Sequence, residues 1–389
     1  MDMRDFLRAE IAVSTESAVL LTAGIISLTA SALLFPISKG TLPYYENGLL
    51  GLLMFVMAVQ IITLGKAPFG DMGRGPLWTV LGVVLAGVGV VTCFIPGLFR
   101  VVPRLVLLVS MGVGGAAMFV RLCLDGRRLA TWLRLGGVFV HLAAACGAAY
   151  LLSMSIGLSL WSRELLSAQQ YSVLLMAYGA SLVYLAFVLV PVYRDHPPAR
   201  TGNLSPDKSM ILLVGVFMVL LGVLLIPVSL GLLPFSAGAQ LGLLMVIFAV
   251  QMLAFGNTPV GSFSRTPAVI LVGLLFSVLG TASCMVPELL VPFLTVAVGI
   301  LNVFGGAIGM FKLWSIRGRG PDFAILKRLG RVQVAVNMFS ILFGASMLIS
   351  RLLPGTVIGI ILSLNGVTLL YLLHLLVEIE KKSGDRRSS

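Results

Sequence analysis

The chain has 389 residues, of which 58% are hydrophobic and 11% charged, with a formal net charge of +12 and a mean hydropathy of +1.06. So few charged side chains cannot cover the surface of a soluble protein of this length, which excludes a water-soluble globular class. The composition therefore predicts an all-α, polytopic membrane protein whose main partner is the lipid bilayer.

Apolar runs long enough to cross about 30 Å of hydrocarbon as helices occupy most of the chain. Residues 1–12 precede them and are predicted to form a short amphipathic helix on the membrane, with Phe6, Leu7 and Ile11 facing lipid. The connections between runs are short, so we expect no separate soluble domain. Twelve runs lie near residues 17–36, 47–65, 77–97, 104–122, 132–154, 171–192, 209–229, 236–256, 267–287, 290–311, 332–350 and 356–377.

Basic residues mark the loops on one side of the membrane. Of the 27 Lys and Arg residues, all but five fall on the side that carries the N-terminus. The positive-inside rule then predicts an inner (cytoplasmic) membrane protein with both termini in the cytoplasm. The basic tail "KKSGDRRSS" is expected to attract anionic lipid, and we expect no nucleic-acid partner. The five exceptions are Lys39, Arg100, Arg104, Arg163 and Arg351.

An internal repeat relates the two halves of the chain. From residue 14 to residue 122 the halves align without a gap at an offset of 191, and the match resumes near residue 178 at an offset of 187. This predicts two parallel six-helix repeats, 1–196 and 197–389, each built of three helical hairpins. The aligned pairs include Gly24/Gly215, Pro36/Pro227, Gly40/Gly231, Gln60/Gln251, Cys93/Cys284 and Pro96/Pro287.

Several segments share a pattern of a helix opened by glycine, a proline at its far end, and a second helix rich in small residues. Examples are "LLTAGIISLTASALLFPISKG" and "LLVGVFMVLLGVLLIPVSLG". This pattern resembles the short hairpin repeat of the HdeD-like acid-resistance membrane proteins, which are usually shorter, so the resemblance implies a fused duplication. It also implies a non-catalytic membrane protein acting in envelope or acid-stress tolerance, or as a scaffold that binds a membrane-protein partner or a second copy of itself.

A second resemblance supports an alternative function. Major facilitator transporters also have twelve spans in two parallel halves, with a Gly, Asp and Arg signature after spans 2 and 8. The segment "GDMGR" after the second run is similar in place and in its Asp-x-Gly-Arg ending, whereas the second copy has no Asp. The alternative is therefore a secondary transporter or channel for a small, weakly charged solute at the interface of the two halves.

Polar side chains within the apolar runs are mostly amides and hydroxyls. Asp, Glu, Lys and Arg occur only near the ends of runs, which argues against carboxylate-driven ion coupling. An amide in hydrocarbon seeks an interhelical partner, so the amides either hold helices together or line a polar path. No catalytic set, phosphate loop or metal-ligand spacing is present, so we expect no enzyme activity, cofactor or metal. The amides are Gln60, Gln251, Asn302, Asn337 and Asn365.

Glycines and prolines indicate how the helices pack and turn. The pairs Gly114–Gly115 and Gly305–Gly306 are expected to let helices approach closely. A polar elbow follows the second and eighth runs, and we expect its glycine to end one helix, its proline to start the next and its arginine to hold the loop in the cytoplasm. The elbow residues shared by both copies include Gly65, Pro68 and Arg74 and their counterparts Gly256, Pro259 and Arg265.

Two histidines and two cysteines complete the candidates. His141 and His374 each stand alone in an apolar run, where a neutral imidazole bonded to a neighbouring helix or a pH sensor would both fit. Cys93 and Cys284 occupy equivalent repeat positions near the outer ends of their runs, where they act either as small apolar residues or as a disulfide between the repeats.

Overall fold

A computed structural model of the protein describes residues 13–64, 76–124, 126–162, 164–195, 206–255, 266–316, 324–349 and 352–388. All regular structure in these ranges is helical, which confirms the predicted all-α class. The elements are α1 Thr15–Ser38, α2 Glu46–Leu64, α3 Pro76–Phe94, α4 Val102–Leu107, the π-helical segment π1 Leu108–Val113, α5 Gly114–Leu124, α6 Gly126–Leu135, α7 Val138–Trp161, α8 Ala168–Asp195, α9 Pro206–Ser229, α10 Ala237–Phe255, α11 Pro267–Met285, α12 Val291–Ile316, α13 Ala324–Leu348 and α14 Gly355–Ser388.

The described helices include 11 that are long and apolar enough to cross a membrane. The predicted run near 236–256 is α10, whose apolar part Ala237–Leu253 is shorter than the others. A polytopic membrane protein follows from these lengths, while the count of twelve spans stays a prediction.

The run predicted at 132–154 divides differently in the structure. Gly136 and Gly137 both have positive φ, at 65° and 53°, and this break separates the short basic helix α6 from α7. The apolar segment is therefore Val138–Trp161, displaced toward the C-terminus. Arg134, which fell inside the predicted run, belongs to α6 and not to the span.

Packing divides the chain into two compact units, one comprising residues 1–207 and 236–290 and the other residues 208–235 and 291–389. The first unit contains α1–α8 together with α10 and α11, and the second contains α9 and α12–α14. These units differ from the sequence repeats 1–196 and 197–389, because α10 and α11 of the second repeat pack with helices of the first. Within the first unit α2 and α10, which are related by the offset of 191, are the most buried helices.

Glycine contacts decide which helices pair most closely. A Cβ on Gly51 would lie 2.5 Å from the carbonyl oxygen of Gly89, so α2 and α3 touch backbone to backbone. The closest pairs are α1–α8, α2–α3, α10–α11 and α12–α13. The sequence predicted hairpins in which an odd-numbered apolar run pairs with the even-numbered run that follows it. None of the four closest helix pairs is of this kind. Matching contacts join Gly242 to Gly280, Gly24 to Gly179, and Gly222 to Gly359 within the second unit.

Equivalent turns end α1 and α9. Gly40 and Gly231 have φ of 72° and 73°, a conformation that favours glycine. The N–H of Thr41 donates to the Pro36 carbonyl at 3.1 Å, and the N–H of Leu232 donates to the Pro227 carbonyl at 3.0 Å. The same local sequence thus builds the same helix end in each repeat.

Candidate functional site

A buried polar cluster joins helices of the first unit around Gln60. Gln60 on α2 is 8% exposed, and Tyr178 on α8 lies within hydrogen-bonding reach of Gln60 and of Ser153 on α7. The Ser153 hydroxyl donates to the Met111 carbonyl in π1 at 3.2 Å. We call Gln60, Ser153, Tyr178 and the Met111 carbonyl the Gln60 cluster. It links α2, π1, α7 and α8 through polar groups in an otherwise apolar interior.

The Gln60 cluster retains hydrogen-bonding capacity. Among the described residues the buried Nε2 of Gln60 has no hydrogen-bond partner, and the same holds for Nε2 of Gln240 on α10. A buried polar group without a partner costs about 1–3 kcal/mol, so these amides are suited to a water or a polar solute. The π-helical turn beside the cluster is of a kind often found at functional sites.

Gln251, the counterpart of Gln60, is half-buried on α10 in the same unit. The described residues of α1, α2 and α10 leave a cavity of about 10 Å³, which is room for about one water molecule. Its lining is apolar except for Thr22 and includes neither glutamine. The lining residues are Val19, Thr22, Ala23, Ile26, Phe55, Val56, Val59, Val246 and Val250.

The three asparagines lie in the second unit. The Asn302 amide donates to the Val298 carbonyl at 2.9 Å within α12. Asn337 on α13 lies over Gly309, since a Cβ on that glycine would be 2.6 Å from its Oδ1. Asn365 on α14 is 6% exposed, and its Oδ1 has no hydrogen-bond partner in the described part of the chain. Asn337 thus fits the role of an interhelical contact, whereas the Asn302 amide bonds a carbonyl of its own helix.

The paired glycines divide between two environments. A Cβ on Gly115 would lie 2.9 Å from the Tyr150 carbonyl, and one on Gly306 would lie 2.6 Å from the Asn337 carbonyl. Gly115 therefore joins α5 to α7, and Gly306 joins α12 to α13. Gly114 and Gly305 make no such approach to another described helix. Both close contacts lie inside one repeat and not between the repeats.

The histidines lie on exposed helix faces. Nδ1 of His141 and the Tyr184 hydroxyl form a hydrogen bond of 2.7 Å between α7 and α8. His374 stacks on Tyr371 one turn earlier on α14, with ring centroids 6.5 Å apart. Each imidazole therefore contacts a tyrosine at the surface of the helical body and not in the buried interior.

The predicted elbows lie outside the described residues. Gly65, Pro68 and Arg74 fall in residues 65–75, and Gly256, Pro259 and Arg265 fall in residues 256–265. The described helices nevertheless show that each elbow connects a close-packed pair, α2 with α3 and α10 with α11. Residues 1–12 and the side chains of the basic tail also lie outside the description.

The helix ends near Tyr45 and Ser236 meet in a reciprocal arrangement. The Tyr45 N–H donates to the Met285 carbonyl and the Ser236 N–H to the Phe94 carbonyl, both at 3.0 Å. The Tyr45 hydroxyl donates to the Cys93 carbonyl at 3.1 Å. Burial, together with nearby Cys93 and Cys284, raises the pKa of Tyr45 well above its ordinary value, so the phenol stays neutral.

Two ion pairs join different helices near their ends. In the first unit Arg104 donates to Glu46 at 2.7 Å, joining α4 to α2. In the second unit Lys208 pairs with Glu380, joining α9 to α14. Partial burial lowers the pKa of Lys208. Neither pair has a counterpart in the other repeat. The positions equivalent to Glu46 and Arg104 are Ala237 and Thr295, and those equivalent to Lys208 and Glu380 are Ser17 and Tyr193.

Sequence analysis missed Tyr178, Ser153 and Gln240 as members of polar contacts. Tyr178 is the first residue of "YGASLVYL", the segment where the alignment of the two repeats resumes at an offset of 187. That alignment was the signal available in the sequence. A serine in an apolar helix often bonds its own backbone, so Ser153 carried no signal of an interhelical role. In the described residues no group of three or more His, Cys, Asp or Glu could hold a metal ion.

Comparison with protein-family profiles, with curated proteins and with solved structures finds no match for this chain.

Proposed function

We propose that this chain is a non-catalytic integral membrane protein of HdeD-like type that acts as a scaffold in envelope or acid-stress tolerance. The observation that supports this function best is the close packing of the first unit. Gly48 meets the Cys284 carbonyl and Gly242 meets Gly280 with no room for a side chain, and the cavity between α1, α2 and α10 has a volume of about 10 Å³. A fixed body suits a structural role better than a solute pathway.

The exposed faces of the helices provide the surface for such a role. On α12, Phe304, Phe311 and Trp314 are each more than 60% exposed within the second unit. Large aromatic side chains in this position suit lipid or the helix of a membrane partner. In this proposal the protein lies in the cytoplasmic membrane with both termini inside, and its basic tail contacts anionic lipid.

Acid challenge of cells lacking the gene tests the proposal. We expect survival at low pH to fall in the deletion strain and to return with the wild-type gene, but not with Gly242→Leu, which wedges α10 from α11. Gly147→Leu, at a glycine with only one ordinary contact at 3.9 Å, is the matched control and should restore survival. Equal survival of the deletion and wild-type strains would refute the stress role.

The histidines permit a separate test of pH sensing. If His141 and His374 sense acid, His141→Gln with His374→Gln should abolish complementation while leaving the amount of protein in the membrane unchanged. Each imidazole contacts a tyrosine, so charging it would alter that contact. Unchanged survival of the double variant would refute pH sensing by these histidines without refuting the scaffold role.

Transport of a small polar solute is the second candidate, because Nε2 of Gln60 is buried and unpaired among the described residues. Proteoliposomes of the purified chain would be tested with small neutral solutes such as urea and glycerol by stopped-flow light scattering. Faster swelling than in empty liposomes, lost in Gln60→Leu but kept in Gln170→Leu, would favour transport. Gln170 provides the control because it lies on an exposed part of α8.

A further inference from the structure

Two buried thiols lie together where the repeats meet inside the first unit. Cys93 is the penultimate residue of α3 and Cys284 the penultimate residue of α11, and both are fully buried. The Cys284 thiol lies 3.6 Å and the Cys93 thiol 3.9 Å from one acceptor, the Ala239 carbonyl oxygen. The two thiols are also within hydrogen-bonding reach of each other. Both sulfur atoms therefore lie beside one carbonyl oxygen.

The surrounding backbone holds both helix ends in place. The Tyr45 N–H binds the carbonyl of Met285, next to Cys284, and the Ser236 N–H binds the carbonyl of Phe94, next to Cys93. Because each cysteine is one residue from the end of its helix, a small shift of the final turn could close the sulfur–sulfur distance. The helix interiors would not have to move.

We propose that Cys93 and Cys284 form a disulfide that cross-links the two sequence repeats at this junction. The inference rests on the orientation proposed above, which puts the ends of α3 and α11 on the extracytoplasmic side. That side is the oxidising one, where disulfides persist. Cys123 and Cys146 differ in place, because Cys123 is exposed near the C-terminal end of α5 and Cys146 is buried within α7.

The bond forms by exchange with the disulfide of an extracytoplasmic thiol–disulfide oxidoreductase. One cysteine thiolate attacks a sulfur of that disulfide, giving a mixed disulfide and releasing one partner thiolate. The second cysteine thiolate then attacks the sulfur of the first cysteine and expels the partner as its dithiol. The chain loses two protons and two electrons, and the partner disulfide takes up both. Because both thiols are fully buried in the packed unit, the exchange precedes docking of α11.

A disulfide between positions 93 and 284 closes a long loop and restricts the unfolded chain. It therefore stabilises the junction that α10 and α11 make with the first repeat. Tyr45 and its bonds to Cys93 and Met285 would then surround a covalent link and not merely a pair of thiols.

Thiol counting on the intact chain tests the disulfide. Membranes from aerobic cells are quenched in acid, free thiols are blocked with N-ethylmaleimide, the sample is reduced, and new thiols are tagged with a polyethylene glycol maleimide. We expect two adducts on the wild-type chain and on the Cys123→Ser, Cys146→Ser double variant. We expect none on Cys93→Ser or Cys284→Ser. No adduct, or one, on the wild-type chain overturns the proposal.

Mass spectrometry of the wild-type chain keeps the proposal testable if a serine variant fails to fold. A non-reduced digest should contain the peptides of Cys93 and Cys284 joined, about 2 Da lighter than their sum, because two hydrogens are lost. Separate peptides with both thiols alkylated would refute the link. Orientation is tested independently by labelling Cys123 with a membrane-impermeant maleimide, which should react in inverted vesicles and not in intact cells.

Discussion

The backbone N–H of Tyr45 donates to the carbonyl oxygen of Met285 at 3.0 Å, and its sequence counterpart Ser236 donates to Phe94 at the same distance. Position 45 relates to 236, and 94 to 285, by the offset of 191 that aligns the repeats. Reciprocal contacts of this kind are what two equivalent segments make about a twofold axis. They join equivalent positions of the two sequence repeats in the part of the molecule where both repeats contribute to one unit.

Substitution of Gly48 tests how tightly this junction is packed. A Cβ at Gly48 would overlap the Cys284 carbonyl oxygen, so Gly48→Ala must displace backbone. We expect the free energy of unfolding to fall by about 1–3 kcal/mol, the usual cost of overpacking. Gly147→Ala is the control, because its nearest atom is at 3.9 Å. Thermal unfolding in detergent, followed by size-exclusion chromatography, measures both, and equal midpoints would contradict the contact.

Adjacent glycines on α12 give a matched comparison within the second unit. A Cβ on Gly306 would meet the Asn337 carbonyl at 2.6 Å, whereas Gly305 has no atom within 4 Å. Gly306→Ala should lower the unfolding midpoint. Gly305→Ala should leave it unchanged or raise it, since alanine favours helix by up to about 1 kcal/mol. If both variants behave alike, the α12–α13 contact is not as close as described.

Ser31 and Ser172 should each contribute one hydrogen bond to the contact between α1 and α8. The Ser31 hydroxyl donates to the Ser172 carbonyl at 2.8 Å, and the Ser172 hydroxyl donates to the Ser31 carbonyl at 2.7 Å. Ser31→Ala and Ser172→Ala each remove one bond and leave the other, so we expect each to lower the free energy of unfolding by about 0.6–1.7 kcal/mol and the double variant to lose roughly the sum. Denaturant titration in micelles supplies the four unfolding free energies. Single variants as stable as the wild-type chain would contradict the two bonds.

The Gln60 cluster should contribute to stability through Tyr178. Tyr178→Phe keeps the ring and removes the hydroxyl that lies within reach of Gln60 and Ser153. We expect a loss of about 0.6–2 kcal/mol, because the amide and serine then have fewer partners in an apolar interior. Tyr371→Phe, on an exposed face of α14, is the control and should change little. An equal loss in both variants would argue against a polar cluster.

Helix class and turn chemistry could be predicted from local sequence. Hydropathy located the apolar runs, and the glycines at 40 and 231 have the positive φ that ends α1 and α9. The division at Gly136 was missed, because the last turn of α6, 132–135, is apolar except for Arg134 and leads directly into the apolar sequence of α7. The positive φ of Gly136 and Gly137 ends α6 there.

The candidate site was predictable only in part. Gln60 stood out because an amide is rare in an apolar run, whereas Ser153 and Tyr178 acquire significance only when α7 and α8 pack beside α2. That Gln60 and Gln251 line a common polar path stays a prediction. The cavity between α1, α2 and α10 has neither glutamine in its lining.

By itself, the sequence determined that the chain is a helical membrane protein, because removing long apolar segments from water dominates every other local preference. It also predicted the repeat, because two copies of one segment are expected to build similar helices. Only the tertiary structure decided that α10 and α11 pack with helices of the first repeat and that α2 pairs with α3. Lipid is as apolar as the helix surfaces, so helix pairing depends on close backbone contact at small residues such as Gly51 and Gly89. Hydropathy alone does not indicate which of these small residues will come into contact.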